Sequence, residues 1–268
     1  MAARVISLHT YPVKACRSVD LDSATFTPRG VRHDREFMVA TPDGAHLSQR
    51  EVPALATVRP TYADGMLRLA APGRGEMAHE TRTSGPRIDV TVHRKPAPAV
   101  DQGDDAARWL SDVLGRDCRL VRCPDDGGKR VNPAYGDGHT MYADAYPATI
   151  VSAESLDGLN ERLAEPVPMD RFRQNVVVAG WGEPHGEDDV RLLRIGEVML
   201  RLVKPDDRCV VTTIDQATGE RTREPLRTLA RYRTRDQKIC FGMFAMVEQP
   251  GVVRLDDEAE ILESRPVI

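Results

Sequence analysis

The sequence predicts a mainly β protein with a few helices, an α+β chain. Short runs of β-branched and apolar residues recur along the whole length. Turn signals such as Pro42-Asp43-Gly44 and Ala63-Asp64-Gly65 separate them, and an amphipathic helical period appears at only three places. Strands are expected at RVISLH (4–9), EFMVAT (36–41), MLRLA (66–70), IDVTVH (88–93), CRLVRC (118–123), ATIVS (148–152), NVVVA (175–179), EVMLRLV (197–203), CVVTTI (209–214) and FAMV (244–247). Many short strands at this spacing point to closed or sandwiched antiparallel sheets.

The first helix is GDDAARWLSDVLG (103–115), with Ala106, Trp109, Leu110, Val113 and Leu114 on one face. Asp104 and Asp105 lie at its start, where the helix dipole favours carboxylates, and Gly115 marks its stop. SAESLDGLNERLA (152–164) repeats the pattern with Leu156, Leu159 and Leu163, and a short third helix is expected at EPLRTLARY (224–232). APGRGEMAHETRTSGPR (71–87) reads as a long hairpin loop. PDDGGKRVNPAYGDGHT (124–140) has the composition of a mobile connection. The expected organisation is an N-terminal β domain over 1–95, a helical connector over 96–115 and a second β domain over 116–268.

Composition narrows the function classes. A chain of 268 residues with 41% hydrophobic and 29% charged residues can form one large or two ordinary globular domains. No apolar run approaches the ~18–20 residues of a membrane span. The start, MAARVISLHTYPVKACR, has no signal-peptide hydrophobic region, so a cytoplasmic location is expected. A net charge of −4 gives no bulk attraction to nucleic acid. Only five of the 37 basic residues are lysines. Lineage composition accounts for that bias, and so does the use of arginines to clamp an anionic ligand in bidentate fashion. The five cysteines are odd in number and dispersed, which disfavours a disulfide framework. Cys118 and Cys123 end an alternating strand and face opposite sides, a poor zinc pair.

Familiar catalytic signatures are absent: GxSxG, HExxH, CxxC and a helix-opening GxGxxG do not occur. GGKR (127–130) lacks the Ser/Thr and earlier glycine of a phosphate loop and reads as a solvated loop. His185, in GEPHGEDD (182–189), has acidic neighbours that favour an imidazolium or a hard cation, or that form an exposed acidic loop. Cys209 follows KPDDR (204–208). Arg208 and Lys204 would lower its pKa while Asp206 and Asp207 oppose them. Local physics leaves a core thiol, a nucleophile and a soft-metal ligand open. One cysteine cannot hold a metal alone, so an organic cofactor would have to supply the other ligands.

Longer stretches carry a resemblance. YPVKACRSV (11–19), RGVRHDREFMVATPDG (29–44) and LSQREVPALATVRP (47–60) resemble the N-terminal β-barrel of MOSC-domain proteins. DRFRQNVVVAG (170–180), GEDDVRLLRIGEVMLRLVKPDDRCVVTTIDQATGE (186–220) and FGMFAMVEQPGVVRLDD (241–257) resemble the MOSC β-barrel domain itself, above all in the motif R-C-x-x-T-T-x-D-x-x-T-G. The likeness is to the mitochondrial amidoxime-reducing component and its bacterial relatives. It implies a molybdenum cofactor (Mo-molybdopterin) with Cys209 as protein ligand to the metal and as catalytic residue. Lys14, Arg35, Arg173 and Arg208 would surround the pterin, with Ser152 and Asn175 as weaker matches. It also implies reduction of N-hydroxylated or N-oxygenated small molecules. The chain has no C-x₄-C-x₂-C motif and no flavin or nicotinamide fingerprint, so electrons would come from separate flavin, haem or iron–sulfur proteins. Other MOSC domains are fused to pyridoxal-phosphate desulfurases, which implies one alternative, a cofactor carrier or sulfur-transfer protein; departures from the family pattern leave another, a repurposed scaffold acting on a specialised substrate without metal. Ala15 and Asp207 stand where relatives often have Ser, or Ser or Thr, and Val190 stands where they often have Trp.

Overall fold

A computed structural model describes residues 2–92 and 95–265; His93, the end of one expected strand, lies outside the described residues. The mainly β class is as expected. Among the described residues the largest sheet has nine strands. Eight run across it in the order Ala259–Ser264, Val190–Ile195, Val198–Asp207, Lys238–Gln249, Ala148–Ser152, Val176–Ala179, Arg4–Thr10 and Val19–Leu21. Thr234–Arg235 pairs with Lys238–Gln249. A five-stranded sheet orders Arg87–Val92, Lys95–Asp101, Arg119–Arg122, Phe37–Ala40 and Val13–Lys14.

Alternation explains most strand faces, and a bulge explains one exception. Val5 and Leu8 are three apart yet enter the same core, because the register with Val176–Ala179 shifts between Val5 and Ser7. Gly242 lies within Lys238–Gln249 at φ 74°, where a Cβ would come 2.8 Å from the Ile150 carbonyl oxygen. The close approach and the left-handed backbone both require glycine there.

Helix α1 (Asp104–Leu114) ends at Gly115 in the left-handed conformation and buries Ala106 and Leu110 against Phe37, Val39 and Leu55. Helix α2 (Ala153–Asn160) packs Leu159 against Val151, Phe172 and Phe241; α3 (Leu226–Leu229) is a single turn. Cys118 and Cys123 fall in different apolar clusters, as their alternation implies, and all five cysteines are free.

Two expectations are corrected. The segment 71–87 is not a simple loop, since Arg74–Glu80 forms the third strand of a sheet with Arg59–Ala63 and Met66–Ala71. The stretch 209–214 is not a strand: Val210–Thr213 is a 3₁₀ turn in which Thr212 Oγ1 and Thr213 Oγ1 donate back to the carbonyls of Cys209 and Val210 (3.0 and 2.7 Å). Such back-bonds override the strand preference of β-branched residues. Strand pairing joins the N-terminal and C-terminal halves of the chain. Arg4–Thr10 joins the large sheet beside Val176–Ala179, and Arg119–Arg122 joins the smaller one beside Phe37–Ala40.

Candidate functional site

A cavity of about 390 Å³ is lined by residues from both large sheets and from the loops beside them. Its walls come from the turn after Val13–Lys14, Arg35, the 46–50 segment, the 143–146 segment, the 171–175 segment and the end of strand Val198–Asp207 with Cys209. Six cationic side chains (Lys14, Arg35, Arg50, Arg171, Arg173 and Arg208) face three carboxylates (Asp144, Asp206 and Asp207).

The backbone is under tension at this cavity. Ala15, Arg35 and Arg173 adopt φ of 70°, 51° and 56° without being glycine, and all three line the wall. Each such residue costs about 1 kcal/mol or more, a cost the surrounding contacts must offset. Arg173 takes this conformation as the C-cap of the 3₁₀ turn Met169–Phe172. The guanidinium groups of Arg35 and Arg173 each lie 4.4 Å from the ring centroid of buried Tyr11, whose hydroxyl donates to the Gln174 carbonyl at 3.0 Å.

The cations differ in how far they are neutralised. Arg35 pairs with Asp34, and although burial works against its charge, Asp34 and Tyr11 hold its pKa above the ordinary value. Lys14 donates to the Tyr142 carbonyl (2.8 Å) and pairs with Asp144, yet burial pushes its pKa down. Arg173 donates to a neutral acceptor, Gln216 Oε1 (3.1 Å); burial and the Arg35 charge push its pKa down against the pull of Tyr11. Among the described residues, Nε and Nη1 of buried Arg171 have no hydrogen-bond partner, while Nη2 donates to Asp215 at 2.9 Å. Asp215 is fixed by the amides of Ala217 and Thr218, both at 2.9 Å. Gly219 completes that turn at φ 77°, so the Asp and Gly of the motif orient Arg171 rather than touch the cavity.

Two expected cofactor contacts are already engaged within the fold. Arg208 donates from Nε to the Phe241 carbonyl and from Nη1 to the Phe172 carbonyl, both at 2.8 Å, and forms an ion pair with Asp206 at 2.6 Å through Nη2. Asn175 accepts from Thr149 and donates to the His9 carbonyl and to Asp34. Both residues line the wall, but as clamps on neighbouring segments.

Ser152 is a correction, because it does not reach the cavity. It caps α2, accepting from the Ser155 amide at 3.1 Å, and donates to buried Glu187 at 2.8 Å. That pairing also corrects the reading of 182–189 as an exposed acidic loop. Glu187 accepts from Ser152 and Ser155, and Asp188 pairs with Arg233 and Arg235 (2.8 and 2.7 Å). Burial and the charges of Arg233, Arg162 and Arg235 push His185 down to about 3, so it is a neutral ring rather than an imidazolium.

Cys209 is half-buried in the cavity wall, at the start of the 3₁₀ turn. Arg50, which the sequence did not single out, faces it. Burial opposes the Arg50 charge, but a hydrogen bond and charge interaction with Cys209 raise its pKa. Asp207 is balanced by Lys204 (2.6 Å) and Lys238 (3.4 Å), so its charge does not stand unpaired beside the cavity. Asp206 is buried, and burial together with Asp207 and Asp144 pushes it up to about 7 against the pull of Arg208 and Arg35. Among the described residues no group of three His, Cys, Asp or Glu side chains converges as a metal site.

This donor set fits an anionic, sulfur-rich metal cofactor. The orphaned Arg171 nitrogens and the Arg173 fork suit a phosphate or pterin edge, and Cys209 offers one soft ligand in the same cavity.

Comparison with known proteins agrees in both halves of the chain. The MOSC N-terminal beta barrel domain family matches residues 2–117, and the MOSC domain family matches residues 137–260. Mitochondrial amidoxime-reducing component 1 of Mus musculus is 31% identical over 96% of this chain and 82% of its own length. Mitochondrial amidoxime reducing component 2 of Bos taurus is 33% identical over 94% of this chain and 81% of its own. Molybdenum cofactor sulfurase of Oryza sativa subsp. japonica is 30% identical over 90% of this chain but only 32% of its own length. With both domain families matched in order and relatives of this similarity spanning nearly all of it, the chain belongs to the MOSC family, as a MOSC N-terminal β-barrel domain followed by a MOSC domain.

Proposed function

We propose that this protein is a molybdenum-cofactor oxidoreductase that reduces N-hydroxylated or N-oxygenated small molecules, fed by separate electron-transfer proteins. The observation that carries this reading is a half-buried thiol, Cys209, in the wall of a cavity that holds six cationic side chains. When bound, the cofactor would supply two-electron redox chemistry. Cys209 would be its protein ligand, and Arg171, Arg173, Arg35 and Lys14 would hold its anionic portion by charge-assisted hydrogen bonds. Arg50 faces the same sulfur from the opposite wall segment. Arg208 and Asn175 keep the walls in register through their carbonyl and amide partners. The amidoxime-reducing relatives support an N–O substrate.

The test is turnover of an amidoxime by protein expressed with cofactor supply, using a reduced viologen as electron source. Wild type should consume reductant and form the amidine, and Cys209→Ala should not. A loaded wild type that fails to turn over any N–O compound would overturn the reading.

A second reading, cofactor carriage or sulfur transfer through Cys209, draws support from the sulfurase similarity. Incubation with a pyridoxal-phosphate desulfurase and cysteine would then place a persulfide on Cys209, visible as one added sulfur by mass spectrometry.

A further inference from the structure

The two arginines of DRFRQN are held by two consecutive residues of one turn far along the chain. Asp215 accepts from Arg171 Nη2 at 2.9 Å, and Gln216 accepts from Arg173 Nη1 at 3.1 Å through Oε1. The two acceptors act differently. A carboxylate offsets the charge it orients, whereas an amide oxygen orients a guanidinium and leaves its charge in place. Arg173 lines the cavity, so that charge is presented there.

Gln216 is 2% exposed, and Gln49, fully buried behind the cavity surface, fixes it from the other half of the chain. The two side chains pair reciprocally. Gln49 Nε2 donates to Gln216 Oε1 and Gln216 Nε2 donates to Gln49 Oε1, both at 3.0 Å. Each amide also donates to a backbone carbonyl, Gln49 to Ala15 at 2.7 Å and Gln216 to Ile214 at 3.0 Å. These bonds permit one orientation of each amide. Turning Gln216 over would set its NH₂ against the Arg173 donor and its oxygen against the Ile214 carbonyl. Turning Gln49 over would set oxygen against the Ala15 carbonyl. The pair thus holds two left-handed residues of this wall, Ala15 by its carbonyl and Arg173 by its guanidinium.

We propose that Gln216 is a positioning residue for anion binding, which holds the Arg173 guanidinium charged and in one orientation for a phosphate-type anion in this cavity, with Gln49 as the latch that sets its amide. Under the proposed function, on which this identity of the anion rests, the anion is the phosphate portion of the cofactor. Neither glutamine needs to touch it. Their part is to remove rotational freedom from Arg173 before the anion arrives, so that less entropy is lost on binding. The latch joins residue 49 to residue 216, so this end of the cavity is complete only when both halves of the chain are in place.

The test measures inorganic phosphate binding to cofactor-free protein by titration calorimetry at low salt. Gln216→Leu, similar in size but without an acceptor, should bind phosphate about tenfold more weakly than wild type, the worth of one hydrogen bond to a charged group. Gln216→Glu should bind it more weakly still, because its carboxylate pairs with Arg173 and competes with the anion. The double variant Gln49→Leu/Gln216→Leu removes both amides together and guards against a folding defect from one unpaired glutamine. It should show the same loss as Gln216→Leu. In an Arg173→Ala background Gln216→Leu should have no further effect, which separates positioning through Arg173 from general loosening. Three results would overturn the proposal: a double variant within twofold of wild-type affinity, an undiminished effect of Gln216→Leu in the Arg173→Ala background, or a wild type that binds no phosphate. Pterin retention by protein expressed with cofactor supply is the second readout and should fall in the same order. A wild type that binds phosphate through Arg173 but takes up no cofactor would overturn the cofactor reading and leave the positioning role standing.

Discussion

Arg173 and Arg171 are two positions apart in DRFRQN and look equivalent in sequence, yet their environments differ. Arg173 caps a 3₁₀ turn in the left-handed region and stacks on Tyr11, while Arg171 is braced by Asp215 and keeps two nitrogens without partners among the described residues. Only Arg173 was singled out from the sequence, because the motif marks it. Arg171 depends on Asp215, far along the chain, and no local spacing shows that. Substituting Arg173→Lys keeps the charge but loses the planar fork, which should weaken cofactor retention about tenfold for each charge-assisted hydrogen bond lost. Pterin content after gel filtration measures it. His185 yields a prediction in pH. Its folded pKa of about 3 lies below the ordinary 6.5, so between these values the unfolded chain binds more protons. Stability is therefore complete above about 6.5 and is lost as pH falls toward 3. The loss should be on the order of 1 kcal/mol at pH 5, allowing for solvent screening of a partly exposed ring. His185→Phe should flatten that limb in urea titrations run from pH 7 to pH 4.5.

At the level of elements, periodicity located nine of the 22 strands among the described residues and the two longer helices, and it also failed where side chains override backbone preference. CVVTTI alternates like a strand, but the Thr212 and Thr213 hydroxyls bond back to the preceding turn and present Cys209 to the cavity instead. Thr213→Val removes one such bond without changing shape. It should cost about 1 kcal/mol in unfolding free energy and lower cofactor occupancy by loosening the turn. Strand Lys95–Asp101 was missed because of Pro96 and Pro98. Among the described residues only Val100 and Asp101 of that strand pair with Arg119–Arg122, so there the prolines have a strand neighbour on one side alone. Ser152 was assigned to the cofactor because of its motif, whereas it caps α2 and binds Glu187. Ser152→Ala should cost about 1–2 kcal/mol of stability, measured by thermal unfolding, with cofactor content unchanged.

Across the whole molecule, the two sequence halves build one another. The first strand completes the large sheet, and the strand after α1 completes the smaller one. Linear composition shows domain size but not this exchange, because pairing partners lie far apart in the chain. Fragment 116–268 made alone lacks Arg4–Thr10 and Ser23–Thr27, which supply Val5, Leu8, Ala24 and Phe26 to its core. It should show no cooperative thermal transition, and co-expression with fragment 1–115 should restore one. The cavity has the same dependence, since Lys14, Arg35 and Arg50 come from one half and Arg171, Arg173 and Cys209 from the other. No helix among the described residues is long and apolar enough to cross a membrane.

The proposed function requires this cavity to hold a molybdenum cofactor through Cys209. Its most direct test is elemental and pterin analysis of wild type and Cys209→Ser, both expressed with cofactor supply and purified identically. Stoichiometric molybdenum and pterin in wild type, with molybdenum lost from the folded variant, is the predicted result. A wild type free of molybdenum under conditions that load a known reductase, or a variant that keeps the metal, would contradict it.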